Sequence, residues 1–368
     1  MFSKGMNYHD YLKLEQLLSC QSLESERRGA RAHDELLFII VHQTYELWFK
    51  QILTEVESIL TIFGQEHVDE RLMDLIVARL QRVVEIQKLL VDQVRIMETM
   101  TPLDFLDFRD VLIPASGFQS HQFRMLENRL GLKRAERLQF NNIDYDQLLK
   151  PEQREAMQKV ESEPSLFDRV EKWLERTPFL KMQGFDFWEL YKSTVESTLK
   201  HDLSIIQSNP HLSGEDRKRN ETMLQMTLQG FQALFDESAY AKARQEGQWR
   251  FSYKAIHAAL LIQLYRDQPA LQLPFRFLTA LLDMDEWFTT WRQRHALMAK
   301  RMLGSRIGTG GSSGAQYLKD AADKHKVFND LLQLTTFFVP RSKLPVLPAP
   351  VQRELSFQFA SAGKDPVK

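Results

Sequence analysis

PFRFLTALLDMDEWFTTWRQRHALMAKRM, residues 274–302, carries Phe277, Leu281, Met284, Phe288, Trp291, His295, Met298 and Met302 at alternating steps of four and three. Side chains at that spacing share one face of an α-helix, so the run predicts a long helix with one buried face. It is read from Pro274 and must stop at Gly304, because five of the 15 glycines fall between Gly304 and Gly314. The same pattern recurs on working outward. Phe38, Tyr45, Phe49, Ile52, Val56 and Phe63 predict a helix from Asp34, its N-cap, to Phe63, and another is read from about Val68 to Met97. Thr101 and Pro102 read as N-cap and first residue of a third helix stopped by Pro114, and a further one runs from near Ser116 to Gly131. A last helix is read over about 316–338, with Pro345, Pro348 and Pro350 marking an extended tail. No repeat and no useful β-alternation interrupts this, so the fold class is all-α with four central helices.

Charge density rises and apolar periodicity fades between about Leu132 and Pro164, which suggests a surface connection or short helices. Residues 165–253 give shorter amphipathic helices around Trp173 and Trp188, suited to a small helical subdomain. The chain therefore divides into 1–131 (amino-terminal segment and first core helices), 132–253 (connection and subdomain), 254–340 (last core helices and glycine-rich loop) and 341–368 (tail).

At 368 residues the chain can bury a sizeable core without disulfides. Its 48 Lys+Arg balance 49 Asp+Glu, removing the simplest electrostatic case for nucleic acid or an anionic membrane as partner. Cys20 is the only cysteine, so intrachain disulfides and Cys-rich metal sites are excluded and a reducing, intracellular compartment is expected. The first eight residues hold no apolar signal region, and charges break every apolar run well short of a membrane span.

Two histidines interrupt apolar helical faces: His42, between Phe38 and Tyr45, and His295, between Trp291 and Met298. Each is costly in a core unless hydrogen-bonded or ligated. Neither has a partner at helical zinc-pair spacing, and neither H-E-x-x-H nor C-x-x-C-H occurs. Two readings stay open: satisfied core histidines, or an axial imidazole for a large flat cofactor in an aromatic cavity, which describes non-covalent haem. The glycine-rich stretch lacks a P-loop lysine, leaving a flexible connector or a loop that closes on a substrate with Thr309, Ser312 or Ser313. Arg109, one turn after Phe105, either forms an ion pair with Asp107 or Asp110 or holds a substrate carboxylate bidentately.

These residues fall in segments that resemble one family. His33 to Lys50 (HDELLFIIVHQTYELWFK), Phe105 to Arg109, Pro114 to Ser120, Trp291 to His295 and Gly308 to Gly314 are similar, in order, to the signature segments of tryptophan 2,3-dioxygenases. The likeness spans about Tyr8 to Pro340 and looks closer to animal-type members than to the shorter bacterial ones. It departs at Ala315, where those relatives usually carry an aromatic, and in the short lead of seven residues before Tyr8. The resemblance implies a cytoplasmic, all-helical homotetramer with one haem b per subunit, inserting O2 into the indole C2–C3 bond of L-tryptophan to give N-formyl-L-kynurenine. It further implies His295 as proximal iron ligand, His42 as distal histidine, Arg109 on the substrate carboxylate and Thr309 on its ammonium. Phe38, Phe105 and Leu112 would wall the indole pocket and Ser116 and Trp291 would lie near the haem, while Tyr8 and Tyr11 would reach into a neighbouring subunit's site. Alternatives are a haem monooxygenase of a tryptophan derivative and a non-catalytic haem sensor.

Overall fold

A computed structural model describes residues 5–66, 68–138, 144–147, 149–177, 181–182, 185–304, 306 and 314–356. In chain order its helices begin with α1 (Tyr8–Tyr11), α2 (Leu14–Leu18), α3 (Glu24–Arg27), α4 (Glu35–Phe63), α5 (Met73–Met97), α6 (Pro102–Leu112) and α7 (His121–Leu130). They continue with α8 (Pro151–Ser162), α9 (Leu166–Leu174), α10 (Phe187–Ser208), α11 (Gly214–Phe235), α12 (Glu237–Gln245) and α13 (Tyr253–Leu264). Last come α14 (Pro269–Leu303), α15 (Gly314–Lys324), α16 (Asn329–Gln333) and α17 (Ala349–Leu355). The one antiparallel strand pair among the described residues, Lys181–Met182 with Phe185–Asp186, is two residues long on each side, so the fold is all-α.

The chain forms two compact units: Met1–Ser58 with Arg82–Ser165 and Glu286–Val327, and Ile59–Gln81 with Leu166–Asp285 and Phe328–Lys368. In the first unit α4 and α5 are joined by hydrogen bonds from the Tyr45 hydroxyl to the Leu90 carbonyl, 2.7 Å, and from Gln93 to Thr44. Arg294 of α14 bonds Glu98 at 2.6 Å, just past the end of α5. Ile52, Val56 and Val83 are fully buried there, each contributing about 1.5–3 kcal/mol of burial. Glu35, at the start of α4, is buried and accepts the backbone N–H groups of Glu24 and Ser25, 2.8 and 3.0 Å, satisfying donors that the amino end of α3 leaves without a helical partner. In the second unit Trp173 and Phe63 pack on Phe277, with ring centroids 5.3 Å apart in each contact, and Phe167 stacks on Phe251 at 4.6 Å.

Boundaries differ from the sequence reading where side chains capture backbone groups. The helix expected from Ser116 is a 3-10 turn, Gly117–Gln119, followed by α7: Ser116 and Ser120 each cap their own segment and so divide it. Gly131 ends α7 with φ +117°, the left-handed conformation glycine tolerates. α14 starts five residues before Pro274, whose missing N–H removes one bond near the helix start and not in its middle. The single last helix expected over 316–338 is instead α15, α16 and a 3-10 turn, because the Phe328 N–H is taken by Asp285 at 2.9 Å. Of the two readings of 132–164, a surface connection or short helices, the structure has a short helix, α8, which does reach the core, burying Met157 and Val160. The helices α10 and α11 run 22 residues each, longer than periodicity indicated, and the tail carries α17.

Candidate active site

A cavity in the first unit is lined by α4, α5, α6, the 116–120 turn, α7, α14 and α15. One stretch of its wall is apolar: Phe38, Val41, Phe105, Met97, Met298 and Met302 belong to a cluster in which the Phe38 ring lies 5.8 Å from Phe105 and 5.6 Å from Phe108. Trp291 forms another stretch, packed within 6.1 Å of Tyr45, Phe49 and Phe123. Both histidines singled out in the sequence face this space.

His42 is tied back to its own helix, with Nδ1 2.7 Å from the Phe38 carbonyl and its ring 4.1 Å from the Phe38 ring. A carbonyl only accepts, so Nδ1 carries the proton and Nε2 is left as an acceptor. Burial holds its pKa below the ordinary histidine value, opposed in part by the Phe38 bond and by Glu46. The ring is therefore neutral at pH 7. His295 is set 5.5 Å from Trp291, and its Nδ1 is buried with no hydrogen-bond partner among the described residues. Burial, with the nearby His42 adding to it, pushes its pKa down to about 4. Two neutral imidazoles thus share one largely apolar cavity.

Opposite in character is a buried charge network that reaches the same lining through Arg124, Glu127, Arg292 and His325. Glu127 accepts from Arg124 at 2.8 Å, Arg137 at 2.5 Å and Arg292 at 3.0 Å, and all four side chains are at most 7% exposed. Burial alone would raise the Glu127 pKa, yet Arg137, Arg124, His325 and Arg292 hold it well below the carboxylate range. The Leu138 N–H donates to His325 Nε2 at 3.1 Å, so the proton of this neutral histidine sits on Nδ1, facing Glu127 Oε1 at 3.7 Å. Three guanidinium groups meeting one carboxylate leave two positive charges in excess. Uncompensated buried charge is strongly unfavourable, so an anionic group at this end of the cavity would be stabilised. The sequence reading missed the network: Arg124 and Glu127 are an ordinary i,i+3 pair in sequence, and Arg137 and His325 join them only in three dimensions.

Of the residues singled out from sequence, Phe38, His42, Phe105, Ser116, Trp291 and His295 line the cavity. Ser116 is held by its own turn, accepting from Phe118 N–H and donating its backbone N–H to Gln119 at 3.1 Å. Leu112 packs on the Phe38–Phe105 cluster without lining the cavity. Arg109 is not on the lining either; its side chain is 16% exposed and bonds the exposed Asp110 at 3.0 Å. Tyr8 and Tyr11 stand 71% and 68% exposed on α1 and are not on the lining of this chain's own cavity. Thr309, Ser312, Ser313 and the rest of the glycine-rich loop from 307 to 313 lie outside the described residues. Among the described residues no group of three or more His, Cys, Asp or Glu could hold a metal ion, and no helix is long and apolar enough to cross a membrane.

Comparison with known proteins identifies the family. The family model described as tryptophan 2,3-dioxygenase matches residues 1–338. A protein named tryptophan 2,3-dioxygenase from Bdellovibrio bacteriovorus is 55% identical over 96% of this chain and 99% of its own length. Proteins of the same name from Dictyostelium discoideum and Xenopus laevis are each 47% identical, over 97% and 93% of this chain and 90% and 84% of their own lengths. Animal relatives are thus among the matches, while this bacterial one, of nearly the same length as the chain, has the higher identity. The chain belongs to the tryptophan 2,3-dioxygenase family.

Proposed function

We infer that the protein catalyses the oxidative opening of the indole ring of L-tryptophan, inserting both atoms of O2 across C2–C3 to give N-formyl-L-kynurenine. The observation that carries this reading is the pairing of two neutral histidines, His42 and His295, in one aromatic cavity of a chain whose relatives are named for that reaction. Haem b, one per subunit, is the cofactor proposed. Two features fit it: an imidazole, His295, whose Nδ1 has no hydrogen-bond partner among the described residues and which can ligate iron, and the doubly cationic network of Arg124, Arg137, Arg292 and Glu127, suited to the two haem carboxylates. Ferrous haem supplies the iron at which O2 is activated.

The protein's own part is binding and orientation. His42 Nε2, an acceptor by its tautomer, would take the indole N–H, and Phe38 and Phe105, with Leu112 packed on their cluster, would hold the ring and exclude water. Arg109, on α6 one turn beyond Phe105, is proposed to bind the substrate carboxylate, with Thr309 on the ammonium group. Ser116 and Trp291 would flank the haem. Tyr8 and Tyr11 are exposed on a helix with no buried residue, which supports their reaching a neighbouring subunit in a cytoplasmic homotetramer.

Turnover of L-tryptophan by reduced, haem-loaded protein under 18O2 tests the reading. Two labelled atoms in N-formyl-L-kynurenine are expected. A single labelled atom would make the enzyme a monooxygenase, and haem binding without turnover would make it a sensor.

A further inference from the structure

A histidine that binds a metal usually donates its second ring N–H to a carboxylate or carbonyl, and that bond sets the ring's orientation. His295 has no such bond: Nδ1 is buried and unpartnered among the described residues. Its direction must come from the helix that carries it. Arg292 lies three residues earlier on α14, on the same face, and is buried. Nη1 donates to the His325 carbonyl and Nη2 to Glu127 Oε1, both at 3.0 Å. The two acceptors come from different elements, Glu127 from α7 and His325 from just past α15. Glu127 is in turn fixed by Arg124 and Arg137, and the His325 ring by the Leu138 N–H.

We propose that Arg292 is a positioning residue for His295: by gripping Glu127 with one nitrogen and the His325 carbonyl with the other, it sets the rotation of α14 about its axis and hence the direction in which the imidazole enters the cavity. The planar guanidinium fork is needed because a lysine ammonium at that place can keep one of the two bonds but cannot span both. The proposal rests on the reading of His295 as iron ligand.

The test uses full-length, haem-loaded protein, with haem affinity measured by titration and the iron–imidazole stretching band of the ferrous state by resonance Raman. Arg292→Gln is expected to shift and broaden the band and to weaken haem binding roughly ten-fold or more. Arg292→Lys is expected to fall between, and it carries the test should Arg292→Gln not fold. Arg129→Gln, which breaks ion pairs with Glu57 and Glu163 in the same unit, serves as the control: it should lower the melting temperature and leave the band unmoved. An unshifted band in both Arg292 variants overturns the proposal. So does a loss of affinity that disappears with haem dimethyl ester while the band stays unmoved, since Arg292 would then act on the haem carboxylates alone. The ligand reading is tested apart from this in His295→Gly: a band restored only by added imidazole supports it, and a band present without imidazole overturns it whatever Arg292 does.

Discussion

Arg109 shows how one residue type serves two readings. The structure gives it the ion pair with Asp110 that sequence spacing allowed, but Asp110 is 84% exposed, and such a pair stabilises by about 0–1 kcal/mol at most. On the proposed reading, the contact that matters is the one Arg109 makes to the substrate carboxylate. Removing a buried charged contact typically costs about 2–5 kcal/mol, so Arg109→Ala should lower kcat/KM for L-tryptophan roughly thirty-fold or more. Haem content should not change, and tryptamine, which lacks the carboxylate, should be a poor substrate for the parent and lose little further in the variant. Equal losses for both substrates would make Arg109 structural. His42 and His295 were visible in sequence because each interrupts an apolar stripe, and polar groups on such a stripe must be explained. Glu127, Arg137 and His325 were not visible, because nothing local distinguishes them from the chain's many solvated charges until tertiary packing removes water from all three.

At the scale of elements, caps decide where helices start and stop. Thr101 accepts the Asp104 N–H while the Asp104 carboxylate accepts the Thr101 N–H at 3.0 Å, and Pro102 fills the first helical position, as the sequence reading of α6 required. Thr101→Ala should cost about 1 kcal/mol, seen as a lower urea midpoint with an unchanged slope; no shift in midpoint would mean packing of Phe105 and Phe108 alone holds this end. α13 gives a second prediction. His257 is buried between Trp188 and Tyr253, ring centroids 3.6 and 3.9 Å away, and its Nε2 lies 2.9 Å from the Leu234 carbonyl. Burial pushes its pKa down to about 3, despite that bond. Below about pH 6.5 the unfolded chain takes up a proton that the folded chain refuses. Stability from this group is thus fully present above that pH and is lost as pH falls toward 3, at up to about 1.4 kcal/mol per pH unit. His257→Gln should flatten the stability profile over that window, and an unchanged profile would place the acid sensitivity elsewhere.

For the whole molecule, α1 and α2 bury no residue of their own, and Met6, Tyr8, Tyr11 and Leu18 are each at least 68% exposed. Apolar side chains in that number on a short segment are stabilised by a partner surface. Light scattering should give a tetramer, and Tyr8→Ala with Tyr11→Ala should reduce turnover while leaving the haem spectrum of each subunit intact; a fully active monomer would sink this assembly. What the sequence alone determined follows from periodicity and punctuation: the all-α class, the stripe that carries His295, the capped start of α6 and the stop at Gly131 are local properties of the chain. Only tertiary structure decided the break before Phe328 and the gathering of Arg124, Glu127, Arg137, Arg292 and His325 into one buried network. Those features depend on which side chain reaches a backbone N–H or a carboxylate first, and, for Asp285 with Phe328 or Glu127 with Arg292, the partners are separated by 43 and 165 residues of chain.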